Sequence, residues 1–249
     1  MSTAETIYDD SFYKSQGDAS YRSAGILLPR LFEYYKPRSV VDFGCGVGTW
    51  LRACSNLGVN EILGLDGPHV KTELLRIPIE NFRACDLASE NPQLPRRFDL
   101  AMSLEVAEHL PGDRADNFVH QLCRAADVIL FAAAIPGQRG TFHINEQFPS
   151  YWIPKFKAHG FECFDFLRKL EWCNSRVEVW YRQNVLVFSC SRQFPELSNE
   201  PGQCDIVHPE MWKERRNTNR GLGRVMRVAR DELVYGSPAW VKRLYRRTR

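Results

Sequence analysis

Apolar positions along this chain follow two alternating rhythms. Residues 20–36 set Ala24, Leu27, Leu28, Leu31 and Tyr35 on one helical face, the 3.6-residue period of an amphipathic helix. Pro29 predicts a kink within it and Pro37 its end. SVVDFG (39–44) is a β-branched run that stops at a glycine cluster, and TWLRACSNLG (49–58) reads as a helix closing on Gly58. NEILGLD (60–66) predicts a strand, VKTELLR (70–76) a short helix and IENFRACD (79–86) a third strand. After the Pro-rich bridge 91–97, FDLAMSL (98–104) is an apolar strand. Residues 111–126 place Ala115, Phe118, Val119, Leu122 and Cys123 at i, i+3, i+4, i+7 and i+8 of a helix. DVILFAAAIP (127–136) predicts a buried strand, and residues 149–160 a helix with Pro154 near its first turn and Gly160 past its end. FECFDFLRKL (161–170) and VEVWYRQNVLVFSC (177–190) read as two further strands, the second with the alternation of a hairpin.

Strand and helix in alternation predict an α/β, doubly wound, mostly parallel sheet covered on both faces. The closing strand pair breaks the alternation and predicts an antiparallel edge hairpin. Boundaries follow: an N-terminal helical segment over 1–37, the sheet domain over 38–193, a polar linker over 194–212 and a basic C-terminal tail over 213–249.

Composition narrows the class. The chain has 249 residues, 44% of them hydrophobic, enough to build a core and exclude wholesale disorder. No run approaches the ~18 uncharged apolar residues of a membrane span. The first residues lack the basic and apolar regions of a secretory signal, so a cytoplasmic protein is expected. Eight scattered cysteines without paired spacing predict reduced thiols, and no metal ligand set, since structural zinc sites want ligands a few residues apart. Net charge is +3, but residues 213–249 carry +9 and the remainder −6. That tail sets Trp240, Val241, Leu244 and Tyr245 on one helical face against Lys242, Arg243, Arg246 and Arg247. It predicts either peripheral docking, on the inner face of a membrane or on a partner protein, or packing back on the acidic body, with RNA binding disfavoured.

The most informative stretch is Val40-Val41-Asp42-Phe43-Gly44-Cys45-Gly46-Val47-Gly48-Thr49-Trp50. A strand ends on an acid and turns through three glycines spaced by two, and a helix follows. Such a turn lets a ligand approach bare backbone at a helix N-terminus. The third glycine comes one residue early for a dinucleotide fingerprint. A carboxylate beside the turn would repel a pyrophosphate and suit a sulfonium.

Here the chain resembles the class I S-adenosylmethionine-dependent methyltransferases, through roughly residues 38–190. The resemblance implies a seven-stranded Rossmann-like sheet and S-adenosyl-L-methionine as cofactor. It implies a cofactor set of Asp42, Gly44, Cys45, Gly46 and Gly48 at the turn, with Asp66 and Gly67 after the second strand. Asp66 stands where the family takes the ribose hydroxyls. Asp86 and Leu87, after the third strand, stand where it contacts the adenine. Glu105, opening Glu105-Val106-Ala107-Glu108-His109-Leu110, stands beside the methionine half. The N-terminal segment, with Tyr13 and Arg22, occupies the place of a lid.

Methyl transfer to an alcohol benefits from a base. His143, in the GTFHINEQ run (140–147), and His109 are the candidate catalytic residues. The "HxNEQ…YW" run resembles a bacterial small-molecule subgroup associated with glycan biosynthesis, which implies a small polar acceptor such as a sugar or glycan precursor. The competing readings are an RNA methyltransferase, a non-catalytic nucleotide-binding module and an NAD enzyme. No Asn/Asp-Pro-Pro-Tyr or Pro-Cys motif supports the first, so nucleic acid is not the expected partner. The intact glycine turn disfavours the second, and its spacing the third.

Overall fold

The structure, a computed structural model, describes residues 10–192, 194–198 and 201–218. Helix α1 (Asp10–Phe32) leads into strand β1 (Ser39–Phe43), α2 (Thr49–Asn56), β2 (Glu61–Asp66), β3 (Phe82–Ala84) and β4 (Leu100–Leu104). Then follow α3 (Ala115–Ala125), β5 (Val128–Ala132), α4 (Pro149–Lys157), β6 (Glu162–Phe164), α5 (Phe166–Glu171), α6 (Val179–Asn184) and β7 (Leu186–Ser189). A two-residue strand β8 (Leu197–Ser198) and α7 (Pro209–Thr218) close the described chain. The sheet order is β3-β2-β1-β4-β5-β7-β6-β8. Strands β1 to β5 pair in parallel, whereas β7 runs antiparallel to both β5 and β6. The expected seven-strand sheet with an antiparallel edge is present, extended by β8 on β6.

Two cores follow from the two-residue period of the strands. Val40, Leu100, Met102, Val128, Leu130 and Val187 point to one face, where Leu27, Leu28 and Leu31 of α1, Trp50 and Leu51 of α2 and Phe166 of α5 cover them. Val41, Phe43, Ala101, Ile129, Phe131 and Phe188 point to the other, under Phe118, Val119 and Leu122 of α3 and Trp152 and Phe156 of α4. The helix-face residues read from the sequence for α1 and α3 are those that pack.

The chain departs from its sequence reading after β6. Residues 166–171 and 179–184 are helices α5 and α6, not strand. Asp165 ends β6 by taking the Arg168 guanidinium three residues on, through Nε (2.7 Å) and Nη2 (2.5 Å). The apparent alternation of 177–184 loses to tertiary polar contacts. Arg182 bonds the Val177 and Trp172 carbonyls and Glu210, and Gln183 bonds the Ile206 carbonyl and the His208 amide. Residues 70–76 hold only a 3₁₀ turn (Thr72–Leu74), and turns rather than a helix bridge β3 to β4. Where the polarity pattern predicts a linker, β8 joins the sheet and Cys204, His208 and Met211 are buried. The amphipathic stretch around Trp240 lies outside the described residues.

Arg168 ties this C-terminal segment down. It is fully buried and, besides Asp165, donates to the Gln183 carbonyl (3.1 Å) and the Cys204 carbonyl (2.9 Å). Removing one partner of such a pair strands a buried charge and costs ~3–5 kcal/mol. Arg168→Ala is therefore expected to lower the unfolding free energy by about that amount in urea denaturation; a loss under ~1 kcal/mol would contradict this role.

Candidate functional site

The glycine turn is built by backbone conformation. Gly44 (φ +87°) and Gly48 (φ +80°) sit in the left-handed region, and a Cβ on either would drive into Val106 or Ile77 respectively. The Gly44 and Cys45 amides both donate to the Leu65 carbonyl (2.7 and 3.1 Å), which joins the turn to the end of β2. Gly46 (φ +54°) faces open space. Its amide donates to Asp66 Oδ2 (2.7 Å), and the Gly67 amide donates to Asp66 Oδ1 (2.7 Å). Each Asp66 oxygen keeps lone-pair capacity beyond its one backbone bond, as an acceptor of paired hydroxyls requires. The Cys45 side chain packs where a Gly64 Cβ would stand, so this residue offers the cleft its backbone.

Asp42 lies buried beneath the turn. Burial, and next the charge of Asp66, hold its carboxyl up at about 8. Asp66 is also raised by burial, against the opposing pull of the Gly46 amide. Two acids thus share one low-dielectric pocket, which favours the arrival of a cation. Asp86 stands apart: its exposed carboxylate accepts the Ala88 amide (3.1 Å) and the Ser89 hydroxyl (2.7 Å), while Leu87 beside it is buried.

A second cluster forms beyond β4 and β5. Glu105 adopts φ +58° and accepts Asn184 Nδ2 (2.8 Å) and Gln138 Nε2 (2.5 Å). Burial still raises its carboxyl to about 7. Three residues on, Glu108 is fully buried with no side-chain donor to its carboxyl; burial, then the charge of Glu105, raises that carboxyl well above the ordinary range against the pull of the Glu108 and Ala134 amides. His109 and His143 meet edge to face at 4.8 Å between ring centroids. His143 Nδ1 lies 2.9 Å from Glu146 Oε1, and its Nε2 lies 3.9 Å from Glu108 Oε1. Glu146 is anchored by the Gly137 and Arg139 amides (2.5 and 2.7 Å). A His109 ring N–H donates to the Phe142 carbonyl, yet burial, followed by the nearby His143, depresses its pKa to about 4. Among the described residues, Glu105, Arg139 and Phe142 are the non-glycine residues with positive φ, and all three belong to this cluster. Strain gathered in one place marks a geometry that the surrounding fold imposes.

The structure therefore groups Asp42, Gly44, Gly46, Asp66 and Gly67 at the turn, and Glu105, His109 and His143 at the second cluster. Val106 packs on Gly44, and His69, 3.6 Å from Asp66 Oδ1, adds to the depression of His109. The two groups are thus neighbours. Arg22, expected at a lid, pairs with Glu178 (2.6 Å) on the surface between α1 and α6. Glu108, Glu146, Gln138 and Asn184 escaped the sequence reading as functional residues. Glu108 and Glu146 lie within the quoted motifs and could have been found there; Gln138 and Asn184 carry no local signal.

The raised Asp42 carboxyl has a consequence for stability. In the unfolded chain this acid ionises in the ordinary carboxylate range, near 4, whereas in the fold it keeps its proton to about 8. The native state thus holds the extra proton between those values, and stability falls as pH rises through that window. Asp42→Asn is expected to give a shallower decline of melting temperature from pH ~5 to ~8 than the parent protein; parallel profiles would contradict the assignment.

Comparison with known proteins identifies the family of the chain. The profile of a methyltransferase-domain family matches residues 16–177, well over half of the chain. A chloroplastic protein of Oryza sativa subsp. japonica, named as a probable tocopherol O-methyltransferase, is 33% identical over 99 residues. That match covers 36% of this chain and 26% of the relative, so the chain spans about a quarter of the curated relative it matches. Among solved structures, a SAM-dependent methyltransferase from Archaeoglobus fulgidus superposes with TM-score 0.50 at 18% identity, over 72% of this chain and 98% of that one. A Nostoc punctiforme protein assigned as an O-methyltransferase superposes with TM-score 0.52 at 14% identity, over 72% of this chain and 58% of that one. At such identities these structures speak for the fold. With that family match over residues 16–177, the chain belongs to the methyltransferase-domain family, whose cofactor is S-adenosylmethionine.

Proposed function

We propose that the protein methylates a hydroxyl oxygen of a small polar acceptor, of which a sugar or glycan precursor is the expected kind. The observation that carries this reading is the second cluster. Glu108, His109 and His143 each bring one ligand-capable atom to within 4.8 Å of the other two, next to the cofactor turn. A hydroxyl brings the proton that such a cluster can accept. An amine, already a nucleophile, needs less of it.

On this reading Asp66 takes the ribose hydroxyls, the Gly44–Gly48 turn takes the methionine half, and Glu105 borders it. When bound, S-adenosylmethionine supplies a methyl group on a positively charged sulfur. The buried acids near the turn suit that charge. The cluster polarises the acceptor hydroxyl, with His143, held by Glu146, as its basic nitrogen nearest to Glu108. The loop carrying Gly140, Thr141 and Asn145 forms a polar wall for the acceptor. The O-methyltransferase name of the Oryza sativa relative is in keeping with an oxygen acceptor. The basic tail serves docking rather than acceptor choice.

The test is transfer of radiolabelled methyl from S-adenosylmethionine to a panel of sugars, nucleotide sugars, other polyols, amines and short RNAs. Label is expected on a hydroxylated small molecule as a base-stable ether. His143→Ala is expected to slow that transfer by ~10²–10⁴-fold. Incorporation confined to RNA or amines, or undiminished turnover in His143→Ala, would overturn the reading.

A further inference from the structure

We propose that Glu108, His109 and His143 form a binding site for one divalent first-row transition-metal ion. The inference deepens the O-methyltransferase reading and rests on it only for the ion's use. The ion's binding stands on the residues themselves.

One ligand atom from each of the three residues lies within 4.8 Å of the other two. Glu108 Oε1 and His143 Nε2 stand 3.9 Å apart. That is too long for a hydrogen bond. It suits two ligands of one ion, since bonds of ~2.0–2.2 Å leave ligand atoms ~3–4.2 Å from each other. Small side-chain rotations bring the widest pair into that range.

The chemistry of the donors points the same way. Both oxygens of Glu108 are buried, and no side chain donates to them; only the main-chain amides of Glu108 itself and Ala134 approach the carboxyl. A buried carboxyl supported by main-chain amides alone is still costly, with lone pairs to spare for a further partner. The histidines add further acceptors to the same space. His143 turns Nδ1 to Glu146 (2.9 Å), which directs the Nε2 lone pair to the Glu108 side. His109 gives a ring N–H to the Phe142 carbonyl, which leaves the lone pair on the other nitrogen. A ring N–H held by a carboxylate or a backbone carbonyl is how metal-ligating histidines are oriented. The strained residues Arg139 and Phe142 supply the backbone groups behind both.

Acceptor atoms converging from three side chains with no side-chain donor among them call for a cation. Two imidazoles and one carboxylate favour Mn²⁺, Fe²⁺, Co²⁺ or Zn²⁺ over the all-oxygen preference of Mg²⁺ and Ca²⁺. Glu105 stays outside the ligand set because Gln138 and Asn184 hold its oxygens. Three protein ligands leave coordination positions for an acceptor oxygen; the ion would make its hydroxyl more acidic, and the proton would leave to solvent as the oxygen takes the methyl group and the sulfonium becomes a neutral thioether. His143 then polarises the hydroxyl through the ion rather than by direct contact.

The test titrates the full-length, chelator-treated protein with Mn²⁺ and follows loss of the free-ion EPR signal. S-adenosylmethionine binding is measured on the same preparation. About one Mn²⁺ per chain is expected, with Glu108→Gln and His143→Ala each weakening it by ~10–100-fold or more. The near-isosteric Glu108→Gln should keep the parent's circular dichroism and cofactor affinity. If the parent binds cofactor but no Mn²⁺ at millimolar concentration, or Glu108→Gln binds it equally well, the metal site is overturned while the methyltransferase reading stands. Failure to bind the cofactor would instead sink that reading.

Discussion

Parallel strands packed between two helical layers leave polar chemistry few places to go. Both faces of this sheet are occupied by core: one by α1, α2 and α5, the other by α3 and α4. The strand ends are what remain open to function, and parallel pairing brings the carboxyl ends of β1, β2 and β4 to one edge. Asp42 with the glycine turn, Asp66 and Glu105 all lie there. The site is a consequence of strand direction before it is a consequence of any single residue.

The same edge concentrates acids where water is scarce. Asp42, Asp66, Glu105 and Glu108 all have carboxyls raised by burial. Each differs in what holds it. Asp66 is fixed by two main-chain amides, Glu105 by two side-chain amides, and Glu108 by no side-chain donor. A fold that buries four acids in one neighbourhood is less stable than it could be, and that surplus is the mark of a site shaped for cationic partners. The cofactor's sulfonium accounts for the acids at the turn. The second cluster asks for something more, and a divalent ion supplies it.

How much of this was legible in the sequence differs by region. Strands β1, β4 and β5 and helices α2 and α3 follow from apolar periodicity, because there burial decides conformation. The glycine turn and Asp66 follow from spacing, because positive φ and strand ends leave fixed marks. The segment 166–184 does not follow, because α5 and α6 are set by the Arg168–Asp165 pair and by Arg182 and Gln183 reaching residues 206–210. The folded-back segment 201–212 was hidden for a related reason, since its few buried residues, Cys204, His208 and Met211, sit among polar neighbours. His109 and His143 were visible as candidates, but their convergence on Glu108 across 34 residues is a product of the fold. No spacing rule for metal ligands covers it.

One edge of this sheet, with Asp66 at its heart, is the place for S-adenosylmethionine. Calorimetric titration of the parent protein and of Asp66→Ala with S-adenosylmethionine tests it most directly. The parent should bind one equivalent, and the variant should bind ~100-fold more weakly, the loss expected for two charge-assisted hydrogen bonds to the ribose. Equal affinity in the two proteins, or binding of NAD in place of S-adenosylmethionine, would contradict the account.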